Sequence, residues 1–329
     1  RVGYISGNFN THSVSFFFEP VIKHHNPKMI ETFCYYNHYY EDDFTKRLMK
    51  YSDNWRNIFD MNDEDVSRSI LQDKIDILVD LSGHSIGNRL LIFAYKPAPI
   101  QVTWLGYNNT TGIKNMDYRL VDYYTDPKDK FDKYNSEQLW RLPNNLAVYQ
   151  PPYESPSVQE SPCVKNKYLT FGSFNNQHKH TLSTIDLWSK ILNKIPDSRI
   201  ILKNKYLQGD FGESLKDKFL KLGISKKRIT VYGKDNSIKK HLEHYNEIDI
   251  ALDPFPYNGV TTTMEALWMG VPVISLKGNR SCSRMSHSIN LNLGFDNLSG
   301  NNKKDYVEIA IKLAKDPSKL ISIRKNLRN

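Results

Sequence analysis

One segment of the chain combines a strand end, a tight turn and three consecutive threonines: residues 252–276, LDPFPYNGVTTTMEALWMGVPVISL. The N-terminus of a helix that follows such a turn presents unpaired N–H groups and a positive dipole end, which suit a phosphate. The candidate donors to that anion are Asn258, Gly259, Thr261, Thr262 and Thr263. The spacing of Thr262 and Glu265 equally fits a capping box, in which both side chains satisfy only backbone donors. The spacing alone leaves both interpretations open.

A second segment, FGSFNNQHKHTLSTIDLW at residues 171–188, places Asn176 and Lys179 between a predicted strand and a predicted helix. A lysine in such a turn can contact a diphosphate as a point charge. A lone lysine is more often simply solvated. Lys179 becomes a stronger candidate because the threonine turn lies in the same half of the chain.

Three loops in the first half of the chain also follow predicted strands. His12 lies in GNFNTHSVSFFF, and His84 lies in DLSGHSIGNR. Gly106 and Tyr107 end the strand in KPAPIQVTWLGYNNTTG. An imidazole at a strand end could act as a general base or donate a hydrogen bond to an anion. For His12, a capping or packing role fits the sequence equally well.

Hydrophobic periodicity places these loops in two successive series of strands and helices. The first series has strand-like runs at 1–6, 30–36, 75–81, 100–107 and 117–122, with helical patterns at 14–25 and 66–74. The second has strand-like runs at 168–174, 199–203, 228–233, 249–255 and 271–276, with helical patterns at 181–195, 211–222, 238–246 and 305–316. The alternation predicts an α/β protein with two doubly wound sheets, in which ligands lie beyond the carboxyl ends of strands.

A stretch rich in Pro and Ser, YQPPYESPSVQESP at 149–162, separates the two series. Its composition is typical of an extended linker. We therefore predict an N-terminal Rossmann-like half at 1–150, a linker at 151–166 and a C-terminal Rossmann-like half at 167–329. Loops from both halves are expected to converge on one cleft.

The composition excludes several classes of protein. The chain has 329 residues, and 45 Lys and Arg against 36 Asp and Glu give a net charge of +9. The basic residues are dispersed, so we expect an ordinary surface and no nucleic-acid partner. No run is apolar enough to span a membrane, and the first residues lack signal-peptide character, although their abrupt start on a strand suggests an excised domain. Three distant cysteines argue against a disulfide framework and favour a reducing, cytoplasmic compartment.

Several reaction classes lack their sequence motifs. The chain contains no HExxH, GxSxG or GxxxxGK[ST], which leaves zincins, α/β-hydrolases and P-loop NTPases without support. GNFNTH follows the first strand where a dinucleotide oxidoreductase would have GxGxxG. The nearest approach to a DxD pair is Glu247 to Asp249, at a strand entry, so the sequence indicates no divalent-metal site.

The motifs resemble, in their order and spacing, the catalytic region of protein O-GlcNAc transferases and the related Spindly proteins. The strings that carry the resemblance are THSVSFF, DILVDLSGH, KPAPIQVTWLGYNNTTG, FGSFNNQHK and DIALDPFPYNGVTTTMEALWMGVPV. It covers nearly the whole chain and implies a GT-B fold, with an N-terminal acceptor side and a C-terminal donor side. It further implies metal-independent, inverting transfer of a sugar to Ser or Thr hydroxyls of proteins, tetratricopeptide repeats ahead of this region, and a cytoplasmic or nucleocytoplasmic location.

The resemblance also implies roles for residues of the donor half. Lys179 matches the lysine that contacts the donor diphosphate, and the turn at Thr261 and Thr262 matches the backbone phosphate cradle. His241 aligns with the histidine that packs on the nucleotide base, and Glu265 stands where animal enzymes have an Asp against the ribose. The remaining donor-binding candidates are Gly106, Tyr107, Asn176, Asn258, Gly259, Thr263 and Arg284.

The two histidines of the first half are the candidates for the acceptor end. His12 matches the family's histidine at the sugar and acceptor, whereas His84 replaces a Tyr of the animal enzymes and matches Spindly and many bacterial members. The acidic base proposed in animal enzymes has no counterpart here. We therefore predict that His12 takes the hydroxyl proton, with His84 as the second candidate and Lys179 stabilising the leaving group.

Two alternatives to UDP-GlcNAc-dependent transfer stay open. THSVSFF and GHS are closer to Spindly, which favours GDP-fucose as donor. The pair Ser283 and Arg284 instead resembles the O-GlcNAc transferases and bacterial members. A catalytically silent scaffold is the second alternative, which the presence of Lys179 and of the threonine turn disfavours. For either enzyme we expect a nucleotide sugar and a protein acceptor as partners, without a cofactor, metal or membrane.

Overall fold

The computed structural model describes residues 1–328, which divide into two compact units: Arg1–Gln150 and the residues from Pro151 onward. Each unit is built around one parallel sheet that is flanked by helices. Parallel strands are covered on both faces, so they read as nearly continuous apolar runs, as TFCYY and RIILK do here.

The first unit contains a seven-stranded sheet in the order β3-β2-β1-β4-β5-β6-β7, with every neighbouring pair parallel. Its strands are β1 (Val2–Ser6), β2 (Thr32–Tyr36), β3 (Asn54–Asn57), β4 (Ile77–Asp80), β5 (Ile100–Thr103), β6 (Tyr118–Asp122) and β7 (Gln138–Leu142). Its helices are α1 (Ser13–Lys23), α2 (Asp43–Met49), α3 (Asp63–Gln72) and α4 (Leu90–Ala94). Ile5, Tyr35, Ile70 and Leu78 belong to its buried core.

The second unit contains a six-stranded parallel sheet in the order β10-β9-β8-β11-β12-β13. Its strands are β8 (Thr170–Ser173), β9 (Arg199–Lys203), β10 (Ile229–Tyr232), β11 (Ile250–Leu252), β12 (Val273–Leu276) and β13 (Ser299–Gly300). Its helices are α5 (Pro162–Asn166), α6 (Leu182–Lys194), α7 (Asp210–Leu220), α8 (Ile238–Glu243), α9 (Thr261–Trp268), α10 (Met285–Asn292), α11 (Lys303–Ala314) and α12 (Pro317–Asn326). Phe171, Trp188 and Ile250 lie in its core.

In each sheet the strand order reverses beside the first strand of the unit, β1 or β8. In the first unit β1 lies between β2 and β4, and in the second unit β8 lies between β9 and β11. Ligands of doubly wound sheets bind at the carboxyl ends of strands beside such a reversal. The loops after β1, β4, β8 and β11 carry His12, His84, Lys179 and the threonine turn, so the fold places the predicted residues at the favoured positions within each unit.

The segment predicted as an extended linker packs on the second unit. Nε of Arg324 donates to the carbonyl oxygen of Gln159 at 2.7 Å. The main-chain N–H of Cys163 donates to Oδ1 of Asp249 at 3.0 Å. These bonds fix the segment along this unit. Among the described residues, no helix is both long and apolar enough to cross a membrane.

Candidate functional site

The turn after β11 is held in shape by one buried carboxylate. Oδ1 of Asp253 accepts the main-chain N–H of Gly259 at 2.7 Å, and Nδ2 of the buried Asn258 donates to the carbonyl oxygen of Pro254 at 3.2 Å. A Cβ atom on Gly259 would lie only 2.5 Å from Oγ1 of Thr262. The turn therefore requires glycine at this position, because its backbone lies against the start of the following helix.

Helix α9 begins without a side-chain cap. Its N-cap residue is Val260, which makes no capping hydrogen bond, so the structure contradicts the capping box, one of the two interpretations that the spacing of Thr262 and Glu265 left open. Glu265 lies beyond the first turn of the helix and bonds to other elements. The two threonine hydroxyls are also engaged elsewhere: Oγ1 of Thr262 donates to Oδ1 of Asn175 at 3.0 Å, and Oγ1 of Thr263 pairs with Oγ of Ser286 at 2.8 Å. The N-cap thus leaves the first N–H groups of α9, which start at Thr261, without a side-chain acceptor. This arrangement suits an external anion.

Lys179 lies beside the same turn. Its Nζ donates to the carbonyl oxygen of Asn258 at 2.7 Å and lies 4.5 Å from the centre of the Tyr257 ring. Burial lowers the pKa of Lys179, and burial raises the pKa of the neighbouring Asp253 carboxyl. The ammonium group is thus partly desolvated, and an anionic ligand at the start of α9 would restore its lost electrostatic stabilisation.

His241 belongs to a hydrogen-bonded chain in the same unit. Its Nδ1 lies 2.9 Å from Nζ of Lys203, and its Nε2 lies 3.1 Å from Oε2 of Glu265. The hydroxyl of Tyr245 donates to the same carboxylate oxygen at 3.1 Å. Both bonds use Oε2 of Glu265, which is buried.

The two remaining donor-half candidates lie at different depths. Asn176 is exposed and accepts the N–H of His178 at 3.1 Å, which caps the short 3₁₀ turn that contains Lys179. Arg284 is buried at the N-cap position of α10, where its Nη1 donates to the carbonyl oxygen of Gly278 at 3.3 Å. Both side chains shape the loops in which they lie.

His12 caps helix α1. Its Nδ1 accepts the main-chain N–H of Val14 at 3.2 Å, which confirms the capping role that the sequence left open. Because that donor is an N–H group, Nδ1 must be unprotonated. The neutral ring therefore carries its proton on Nε2 and can donate from that atom.

His84 uses the other ring nitrogen, Nε2, for its hydrogen bond. Its Nε2 lies 2.9 Å from the carbonyl oxygen of Thr111, and its ring stands edge-on to Tyr107 at 5.3 Å between centroids. A carbonyl can only accept, so Nε2 of His84 carries a proton, and in the neutral ring Nδ1 keeps its lone pair. The ring can therefore accept a proton at Nδ1.

Two close backbone approaches join the loops after β4 and β5. A Cβ on Gly106 would lie 2.3 Å from the carbonyl oxygen of Leu81, and a Cβ on Gly83 would lie 2.4 Å from Cβ of Tyr107. Gly83 also has φ +52°, which favours glycine. Gly106 and Tyr107 thus position the loop that holds His84.

Two buried carboxylates that the sequence interpretation missed support these loops. Asp80 accepts the N–H groups of Ser82 and Gly83 at 3.0 and 2.9 Å, and burial raises its pKa. Glu137 accepts from Oγ1 of Thr110 at 2.7 Å and from the N–H of Thr111 at 2.6 Å. The position of Asp80 at the end of the predicted strand 75–81 was its only signal in the sequence, and Glu137 had none, because it precedes a strand that the periodicity does not predict.

Across residues 1–328, no group of three or more His, Cys, Asp or Glu side chains is arranged to hold a metal ion. Positive charge near the start of α9 comes from Lys179 and from the helix end itself.

Comparison with known proteins gives consistent results for the whole chain. A family described as Glycosyl transferase family 41 matches residues 1–151 and 157–329. A tomato (Solanum lycopersicum) protein named "Probable UDP-N-acetylglucosamine--peptide N-acetylglucosaminyltransferase SPINDLY" is 38% identical over 99% of this chain. An Arabidopsis thaliana relative with the same enzyme name and the suffix SEC is 29% identical over 100% of the chain. The chain spans only 36% and 34% of the lengths of these two relatives.

Solved structures agree with the fold. A mutant of the Thermobaculum terrenum O-GlcNAc transferase matches all of this chain with a TM-score of 0.95 and 36% identity, and the match covers 62% of that protein. The lipopolysaccharide outer core galactosyltransferase WaaB matches with a TM-score of 0.59 at 14% identity, which bears on the fold alone. The predicted GT-B class of two Rossmann-like units is thereby confirmed, as is the predicted glycosyltransferase class. The chain belongs to glycosyl transferase family 41.

Proposed function

We propose that this chain transfers GlcNAc from UDP-GlcNAc to Ser and Thr hydroxyls of proteins, with inversion and without a metal ion. The observation that carries the proposal is the contact of Lys179 with the Asn258 carbonyl beside the uncapped start of α9. A lysine and a helix N-terminus together supply positive charge where a nucleoside diphosphate leaves. The names of the relatives, which specify peptide GlcNAc transfer, support the same donor and acceptor classes.

The chemical step follows from this charge distribution. The acceptor oxygen forms a bond to the anomeric carbon while the bond from that carbon to the diphosphate oxygen breaks. The bonding electrons leave with UDP, and Lys179 and the first N–H groups of α9 stabilise the negative charge that develops. Each such donor that acts on the transition state contributes on the order of 10²-fold or more to the rate.

His84 is the better acceptor for the hydroxyl proton. Its Nε2–H is committed to the Thr111 carbonyl, so Nδ1 can receive the proton and the ring becomes an imidazolium. His12 uses Nδ1 as a cap and would have to give up that bond in order to accept a proton. We therefore reverse the order predicted from the sequence and assign His12 the role of a donor from Nε2 to a sugar or acceptor oxygen.

Transfer of fucose from GDP-fucose is the second candidate function. The observation that favours it is His84 within the string GHS, which matches Spindly, together with THSVSFF. The partners in either case are a nucleotide sugar and a protein acceptor, with tetratricopeptide repeats ahead of the region that corresponds to this chain. A cytoplasmic location agrees with the absence of a disulfide among Cys34, Cys163 and Cys282.

The test compares thermal stabilisation by UDP, GDP, UDP-GlcNAc and GDP-fucose in the wild type and in Lys179→Ala. It is followed by mass spectrometry of Ser- and Thr-containing peptides after incubation with each sugar nucleotide. We expect UDP and UDP-GlcNAc to stabilise the wild type alone and peptides to gain an N-acetylhexosamine. If the peptides instead gain a deoxyhexose, the donor is GDP-fucose. Absence of stabilisation by every nucleotide would leave the silent scaffold as the remaining candidate.

A further inference from the structure

Lys203 ends strand β9 and is buried, with 4% of its surface exposed. Its Nζ lies 2.7 Å from Oδ2 of Asp235 and 2.9 Å from Nδ1 of His241. A buried ammonium group requires such partners, since an unpaired charge is costly away from water. Lys203 therefore links the carboxylate of Asp235 to the imidazole ring of His241.

The donor or acceptor character of its two partners, Lys203 and Glu265, determines which nitrogen of His241 carries the proton. An ammonium group can only donate, so Nδ1 of His241 accepts and is unprotonated. The ring proton then lies on Nε2, from which it is donated to Oε2 of Glu265 at 3.1 Å. Lys203 thus fixes both the tautomer and the rotation of the ring, and through the ring it orients the Glu265 carboxylate.

Asp235 is itself anchored, which keeps Lys203 in place. Its Oδ1 lies 3.2 Å from Nε2 of His244, whose Nδ1 lies 2.6 Å from Oε1 of Glu247. Tyr232 donates to the other oxygen of Glu247 at 2.7 Å. The chain of contacts therefore runs from β9 and β10 to helices α8 and α9.

His241 retains an accessible face. Its side chain is 21% exposed, and Phe174 and Tyr245 pack beside it with ring centroids at 6.1 and 5.9 Å. We propose that Lys203, fixed by Asp235, is a positioning residue for the nucleoside part of the donor. It holds the His241 ring in the orientation that packs against the base, and it holds the Glu265 carboxylate in the orientation that accepts a hydrogen bond from a ribose hydroxyl. The inference rests on the proposed function, because it assumes that a nucleotide occupies this unit.

The proposal separates two parts of the ligand. Lys179 and the start of α9 bind the diphosphate, whereas Lys203 acts only through His241 and Glu265. Loss of Lys203 should therefore weaken the binding of a nucleoside diphosphate and leave inorganic pyrophosphate bound as before. A merely structural contribution of Lys203 would weaken both ligands together or neither.

The experiment titrates UDP, GDP and inorganic pyrophosphate calorimetrically into the wild type, Lys203→Met, Lys203→Arg and the control Lys205→Met. Lys205 is exposed two residues along the chain. We expect Lys203→Met to weaken nucleotide binding on the order of tenfold, as for a lost charge-assisted hydrogen bond, with pyrophosphate unchanged. Lys203→Arg should restore most of the affinity, and Lys205→Met should match the wild type.

The outcomes distinguish the inference from the function on which it rests. A wild type that binds neither nucleotide overturns the proposed function. A wild type that binds nucleotide, with equal losses for UDP and pyrophosphate in Lys203→Met or with no loss at all, overturns only the role of Lys203. Should Lys203→Met fail to fold, ¹⁵N NMR of the wild-type His241 ring decides the matter: a proton on Nδ1 contradicts the proposal, and a proton on Nε2 supports it.

Discussion

Nζ of Lys179 lies 2.7 Å from the main-chain carbonyl oxygen of Asn258, so the lysine is attached to the backbone of the turn that starts α9. The carbonyl orients the ammonium group without neutralising it. Asp253, the buried carboxylate of the turn, uses Oδ1 to hold Gly259. The positive charge is therefore preorganised beside the helix N-terminus before any ligand arrives.

Replacement of Lys179 by Met should lower kcat/KM by about 10²- to 10³-fold, because the leaving diphosphate loses its cationic partner. Steady-state kinetics with the sugar nucleotide measures the effect. Lys194→Met, at an exposed position at the end of α6, is the matched control and should keep wild-type activity. Equal activity of the two variants would remove Lys179 from the reaction.

His84→Gln and His12→Asn should differ in their kinetic effect. Asparagine is a good N-cap, so His12→Asn keeps helix α1 and loses only the ring. The amide nitrogen of glutamine at position 84 reaches the place of Nε2 and can still donate to the Thr111 carbonyl, but the amide is a very weak base. We expect His84→Gln to lower kcat by about 10²-fold or more with an unchanged dissociation constant for UDP. A larger loss of kcat in His12→Asn would restore His12 as the proton acceptor.

Gly106→Ala should destabilise the first unit by about 2 to 3 kcal/mol, because the new Cβ would overlap the carbonyl oxygen of Leu81 and force the two loops apart. Gly112→Ala is the control. Gly112 has φ +72°, but a Cβ added there would meet no heavy atom within 4 Å, so its cost should be only about 1 kcal/mol. Urea unfolding of both variants measures the difference, and equal costs would contradict the close approach at Gly106.

Acid should destabilise the second unit through His180. Its ring packs edge-on against Trp188, and among the described residues neither ring nitrogen has a hydrogen-bond partner. Burial first, and then the charge of Lys179, lower the pKa of His180 from 6.5 to about 4. The unfolded chain therefore binds the proton more tightly than the folded chain does. The stability that the neutral His180 ring contributes is present above pH 6.5. It is lost as the pH falls from 6.5 to 4, and the free energy of unfolding falls by up to about 3 kcal/mol.

The variant His180→Phe removes this titration and should flatten the loss of stability over that pH window. Unfolding in urea at about pH 7.5, 6, 5 and 4.5 provides the comparison. His287, whose pKa burial also lowers to about 4, stays in both proteins and supplies the residual slope. A slope that is unchanged in His180→Phe would show that other groups control the acid response.

The strand-end loops could be predicted from the sequence because each follows a buried apolar run and contains Gly, Asn or His. Strands β3 and β7 could not be predicted in the same way. Both lie at an edge of the first sheet, and NWRN in β3 has no fully buried residue to produce an apolar pattern. An edge strand is recognised by its neighbour in the sheet, which local periodicity does not reveal.

The network around His241 shows a second limit of sequence reasoning. The spacing of Thr262 and Glu265 was compatible with a local capping bond, but Glu265 bonds instead to His241 and Tyr245, which lie 24 and 20 residues away. Lys203 gave no signal at all, because its partners belong to other elements. Tertiary contacts overrode local preference at this point.

The position of Lys179 relative to Asn258 also bears on folding kinetics. The two residues are 79 positions apart, and their contact joins the segments that follow the neighbouring strands β8 and β11. Parallel pairing over such a distance closes a long loop and is slow compared with helix formation. A chain in which β8 and β11 have not yet paired therefore lacks the anion site. Binding of a nucleotide during refolding would report the moment at which this sheet closes.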